Sequence, residues 1–222
     1  MRTTRRDFVI SAGALIAAAA LIGSAPLAWA DPTQEELMRP GALPDMALGK
    51  ADAPVTIVEY ASMTCPHCAK FDKETFPELK TRYIDTGKVR YIFREFPLDD
   101  LAVAVSMIVR GVATDKATNA VNGEKAMALI DVFFASQDKW ATRNPIPALQ
   151  QIAKQAGMSD KAFEDCMKDQ KLYNDILAVR ERGSKDYKVE STPTIFINGK
   201  MLRGEASIEE LAKIVDPMLP KS

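Results

Sequence analysis

Between Leu98 and Lys188 the sequence carries no strand signal, yet both flanks do. Upstream, APVTIVEYAS sets Val55, Ile57, Val58 and Tyr60 in a nearly continuous β-branched and aromatic run, the pattern of a strand buried on both faces. VRYIFREFP repeats that pattern from Val89 and ends at Pro97. Downstream, STPTIFINGKMLRG holds Asn198-Gly199 between two β-capable runs, the strongest short hairpin signal there is. The spacing therefore predicts an α/β layer whose two halves, 51–97 and 189–222, are separated by a helical insertion over 98–188.

Within the insertion the apolar residues recur at helical spacing. Leu101, Val105, Ile108 and Val109 share one face; Met127, Ile130, Phe133 and Phe134 share another; Ile146, Leu149, Ile152 and Ala153 make a third. Asn144 before Pro145 supplies a helix start, Gly157 a stop and Ser159 the next cap, giving four or five helices. The segment KFDKETFPELKTRYIDTG reads as a helix kinked at Pro77 and stopped at Gly87, and SIEELAKIVDPML as a closing helix with a Ser207 and Glu210 capping box. Residues 31–50, rich in proline and glycine, form a short polar leader.

The first thirty residues read as an export signal. MRTTRRDFVI is basic, an alanine-rich run to Ile22 is apolar, and SAPLAWA offers small residues at 28 and 30. Arg5 and Arg6 with Phe8 resemble the twin-arginine motif. A retained anchor is the alternative, since residues 8 to 30 carry no charge. Either way the rest of the chain is expected to face an oxidising compartment, the periplasm. The net charge of −1 marks no nucleic-acid binder.

With 222 residues, 47% of them hydrophobic, the chain can bury a full core, so its three cysteines are not a scaffold. Two of them flank the only histidine in Cys65-Pro66-His67-Cys68. A zinc site needs four ligands, and His67, caught between the two cysteines, is badly placed to share an ion with them; no metal or cofactor is expected. A bridge over two intervening residues closes too small a loop to add much stability. Redox chemistry remains. Cys65 would precede a helix, where unpaired N–H groups and the dipole favour a thiolate nucleophile, and His67 can donate a hydrogen bond or a positive charge to it. A pKa brought from about 8.5 to about 4 stabilises the reduced form by about 4 kcal/mol at pH 7, or about 90 mV towards oxidant. Cys68 would be the buried resolving thiol. Glu59, six residues before Cys65 near the end of a buried strand, is a candidate proton acceptor for Cys68; the alternative is a carboxylate pointing into solvent.

EYASMTCPHC, the helical block and STPTIFINGK together resemble the DsbA-like thioredoxin-fold disulfide oxidoreductases over residues 46 to 219. The resemblance implies a thioredoxin fold and a cis Thr192-Pro193 bond beside the CPHC, with Thr192 and Pro193 binding extended substrates by strand addition. Some members carry a second disulfide in the helical block. Here Cys166 has no partner, Gly111 stands about where one is expected, and Cys166 reads as a buried, unreactive core residue. The short leader leaves no room for a dimerisation domain. It favours a monomeric oxidase that gives its Cys65–Cys68 disulfide to cysteines of exported proteins and is recharged by a DsbB-like quinone-linked membrane partner. An isomerase or reductase of the same fold, or a protein handling copper(I) with its two thiols, are the alternatives.

Overall fold

The computed structural model describes residues 31–220; the reading of residues 1–30 as an export signal lies outside them. A five-stranded sheet runs in the order β1-β3-β2-β4-β5, with β1 at Met46–Leu48, β2 at Val55–Ala61, β3 at Val89–Glu95, β4 at Thr194–Ile197 and β5 at Lys200–Arg203. Only β2 and β3 are parallel. A parallel pair needs a crossover, here α2 (Pro66–Glu74), α3 (Phe76–Leu79) and a π turn at Lys80–Ile84. The break falls at Thr75 rather than Pro77. Pro77 cannot supply the N–H that would bond four residues back, so the helix restarts just before it.

The leader does more than the sequence suggests. Besides α1 (Gln34–Leu37), capped by Thr33 and Glu36, it supplies edge strand β1, whose Met46, Ala47 and Leu48 lie opposite Phe93, Ile92 and Tyr91. Three residues are too few to show alternation; pairing with β3 makes them a strand. The hairpin forms as its dipeptide dictates, with positive φ of 46° at Asn198 and 95° at Gly199.

Side chains alternate across the sheet. Ile57, Tyr91, Phe93, Ile195 and Ile197 enter the larger core with the crossover helices, the closing helix α10 (Ile208–Val215) and most of the insertion. Val58, Tyr60, Ile92 and Phe196 enter a smaller core on the opposite face. The insertion is six helices: α4 (Asp100–Ala113), α5 (Gly123–Ala135), α6 (Gln137–Trp140), α7 (Ile146–Gln155), α8 (Asp160–Met167) and α9 (Gln170–Tyr187). Asp99, Asn122, Ser159 and Asp169 cap α4, α5, α8 and α9. On α7 the cap is Pro145, not Asn144, and Ile146 is exposed while Leu149 and Ala153 are buried. Long α9 reaches the smaller core, where Val179 and Tyr187 pack. Gly183 permits this: a Cβ there would lie 2.8 Å from the Tyr60 ring. A buried pair, Arg110 with Glu95, joins α4 to β3, and Arg94 with Asp45 joins β3 to the leader.

Candidate active site

Strand β2 ends at Ala61 and α2 begins at Pro66, so the CPHC occupies the turn where strand hands over to helix. Cys65 is the N-cap residue, in extended conformation with φ −81° and ψ 121°, and Pro66 fills the first helical position where no N–H is needed. Cys65 is 5% exposed, and its thiol donates to the Thr192 carbonyl at 3.3 Å. The Thr192–Pro193 peptide bond is cis. Residues from the two halves of the α/β layer thus meet at one sulfur.

All three cysteines are free thiols, and their environments differ. The Cys65 thiol is pulled down to about 5, chiefly by a hydrogen bond from Cys68, against burial, with help from the Thr192 side chain and the N–H groups of Cys68 and His67. These are the N–H groups a helix start leaves unpaired. Cys68 is pushed far up by its burial, by its bond to Cys65 and by the charge of Glu59. One cysteine of the pair is built to be a thiolate and the other to stay protonated.

The histidine differs from expectation. Its ring is 68% exposed and turns to Glu205, with Nδ1 3.5 Å from Oε2, so the thiolate is held by the His67 backbone rather than by the imidazole. The second helical position throws its side chain outward while its N–H faces the cap.

Beneath the pair, Glu59 does not reach solvent. It is 2% exposed, accepts a hydrogen bond from the Tyr91 hydroxyl, and is pushed up to about 7, first by burial and then by the neighbouring Cys65 charge, against the Tyr91 bond. Tyr91 comes from β3, one strand over, and is itself raised by burial and by Glu59. Further out, Asp72 on α2 is raised by burial and by the facing Asp131 of α5, which burial also raises. The charge of Glu59 raises Asp72 further, and Asp72 and Asp131 both add to the upward push on Tyr91.

Sequence reasoning missed Tyr91, Asp72, Asp131, Gln137 and Glu205. Tyr91 read only as a strand residue. Gln137, opening α6, donates its amide to the Met63 carbonyl at 2.8 Å and the Cys65 carbonyl at 3.3 Å, tying the insertion to the reactive loop. Nothing local in SQDKW marks that contact. Among the described residues, no group of three or more histidine, cysteine, aspartate or glutamate side chains is arranged to hold a metal ion.

Comparison with known proteins follows the same lines. Residues 42–217 match the family model described as thioredoxin. A Rickettsia bellii protein that carries a protein-disulfide oxidoreductase name is 32% identical over 179 residues, 80% of this chain and 66% of that one. A Rickettsia conorii protein with a name of the same kind is 34% identical over 79% of this chain and 60% of its own. The chain thus spans between three fifths and two thirds of the length of these relatives. Among solved structures, Wolbachia pipientis alpha-DsbA1 superposes with a TM-score of 0.72 and 29% identity, covering 84% of this chain and 96% of that one. BdbD from Bacillus subtilis, at 20% identity and a TM-score of 0.69 over 85% and 96% of the two chains, shares the fold. With the CPHC at the strand-to-helix turn, the cis-proline loop against it and the helical insertion between the two halves, the chain belongs to the thioredoxin family and has the fold of its DsbA-like members.

Proposed function

We propose that this chain is an exported protein thiol:disulfide oxidoreductase, working as a DsbA-like oxidase that passes its Cys65–Cys68 disulfide to cysteines of newly exported proteins. One observation carries the reading: within one CPHC, Cys65 is pulled down to about 5 while Cys68 is pushed up. A dithiol form whose outer sulfur is a stabilised thiolate is a stabilised reduced form. The oxidised form then gives its disulfide away.

The steps follow from that asymmetry. A client thiolate attacks the Cys65 sulfur, the Cys65–Cys68 bond breaks, and a mixed disulfide with Cys65 forms. Cys68 leaves as a thiolate in surroundings that favour the thiol, and takes a proton. Glu59, with its pKa raised to about 7, would supply it and, in the reverse direction, accept it. A second client thiolate then attacks the client's own sulfur, its disulfide closes, and Cys65 departs as a thiolate. A low-pKa leaving group speeds that step. Two electrons pass from client to Cys65 and Cys68, and a DsbB-like quinone-linked membrane partner would remove them.

Thr192 and Pro193 would receive the client backbone as an added strand beside Cys65. The periplasmic setting rests on the N-terminal sequence; among the described residues no helix is long and apolar enough to cross a membrane. The thiolate's contribution to the dithiol form is complete above about pH 9, the thiol's ordinary value, and is lost as pH falls through 5.

Trapping tests the reading. Cys68→Ser, expressed in the exporting cell, should accumulate mixed disulfides through Cys65 with many unrelated exported proteins, and the wild type should oxidise a reduced, unfolded client. A potential near about −270 mV, that of a reductant such as thioredoxin, would sink the oxidase reading.

A further inference from the structure

The loop after β5 brings a carboxylate to the reactive turn that the mechanism above does not use. Gly204 takes a positive φ of 83° and donates its N–H to the Pro193 carbonyl at 2.9 Å. Two residues on, the Ala206 carbonyl accepts from the Thr75 hydroxyl at 2.9 Å, beyond the end of α2. Glu205 is therefore pinned between the cis-proline loop and α2. Its Oε1 accepts from Lys70 Nζ at 2.7 Å, and Oε2, 3.5 Å from His67 Nδ1, is shielded from water with no hydrogen-bond partner. The Lys70 bond holds this carboxyl below its usual range, so it is ionised. The His67 ring and the Lys70 ammonium, both on the first turns of α2, face this one anion, and Glu74 is the other acid acting on Lys70.

We propose that Glu205 is a positioning residue that restrains the oxidising strength of the CPHC, by drawing the His67 ring away from Cys65 and neutralising the positive charge that would otherwise favour its thiolate. The inference rests on Cys65 being the nucleophile. The sign follows from charge. Glu205 is a full negative charge beside the start of α2. Removing Glu205 thus leaves the thiolate's surroundings net more positive.

The test is equilibration of the purified protein with reduced and oxidised glutathione, together with titration of the thiolate absorbance, for wild type, Glu205→Gln, Glu205→Asp and Glu205→Gln in a His67→Ala background. Glu205→Gln should shift the equilibrium towards the reduced protein by about threefold, the size expected of a surface charge, and move the thiolate titration to lower pH. Added salt should shrink the shift. Glu205→Asp, which keeps the charge, should stay near wild type, and the Glu205→Gln shift should be smaller without His67. An unchanged equilibrium, a shift in the other direction, or an equal shift in Glu205→Asp would overturn the proposal. These outcomes leave the oxidoreductase reading standing as long as the wild type exchanges with glutathione through Cys65. A wild type that does not exchange would overturn both.

Discussion

Cys65 and Cys166 are both buried, at 5% and 8% exposure, both lie at a helix end, and both thiols donate to a main-chain carbonyl. Cys65 is nevertheless pulled down to about 5 and Cys166 pushed up to about 11. What differs is the end of the helix. Cys65 caps the start of α2, where N–H groups point at it and a second thiol and the Thr192 side chain add donors. Cys166 lies one residue from the end of α8, and burial followed by the charge of Asp169 keeps it protonated. Burial alone makes a cysteine inert; burial against donors makes it a nucleophile.

Alkylation of the reduced protein at pH 7 reads the difference between the two thiols directly. Cys65 should react at least about a thousandfold faster than Cys166, since it is mostly thiolate there and Cys166 almost none. Mass-spectrometric labelling of Cys166 within tenfold of Cys65 would end it.

Glu59 separates the two environments further, because Cys68 has a buried acid nearby. In the folded dithiol protein Glu59 holds its proton up to about pH 7, against an ordinary value of 4.5. Its penalty is absent below the ordinary value, grows as pH rises, and is complete above about 7. Glu59→Gln should therefore match wild type at pH 4 and be more stable by about 3 kcal/mol at pH 8, read from urea midpoints of the dithiol forms. Parallel pH profiles for the two proteins would place no ionisation cost at this site.

The smallest effect belongs to the third cysteine. A Cβ built on Gly111 would lie 2.9 Å from the Cys166 sulfur and 3.8 Å from its Cβ, the spacing of a disulfide. The Met158 methyl, 2.8 Å away, is the flexible tip that must move. Gly111→Cys should form a bond with Cys166 on oxidation and raise stability by about 2 kcal/mol without altering exchange at Cys65. Two free thiols at those positions after oxidation would show that the cysteine environment there is less well placed than its geometry implies.

Much of this was legible in local patterns. The buried strands, the Asn198-Gly199 turn, the Ser159 cap and the Ser207 and Glu210 capping box depend on residues within a few positions of one another, and so did the placing of Cys65 before a helix. β1 was not legible, because three residues become a strand only by lying against β3. The same holds for α6, four residues long, whose Trp140 is buried with its indole N–H on the Phe133 carbonyl.

Local sequence alone carried the strand–helix–strand start, the helical insertion, the closing hairpin and helix, and the placing of a cysteine before a helix with an acid six residues ahead of it. Helix starts, turns and side-chain alternation are short-range physics. What each reactive group faces came from packing between distant segments. That packing set the Thr192 carbonyl against Cys65, the Tyr91 hydroxyl on Glu59, the amide of Gln137 on the Met63 carbonyl, and Glu205 beside a histidine expected from the sequence to serve the thiolate. Those contacts join residues tens of positions apart or more, and the direction in which a side chain leaves its helix selects among them.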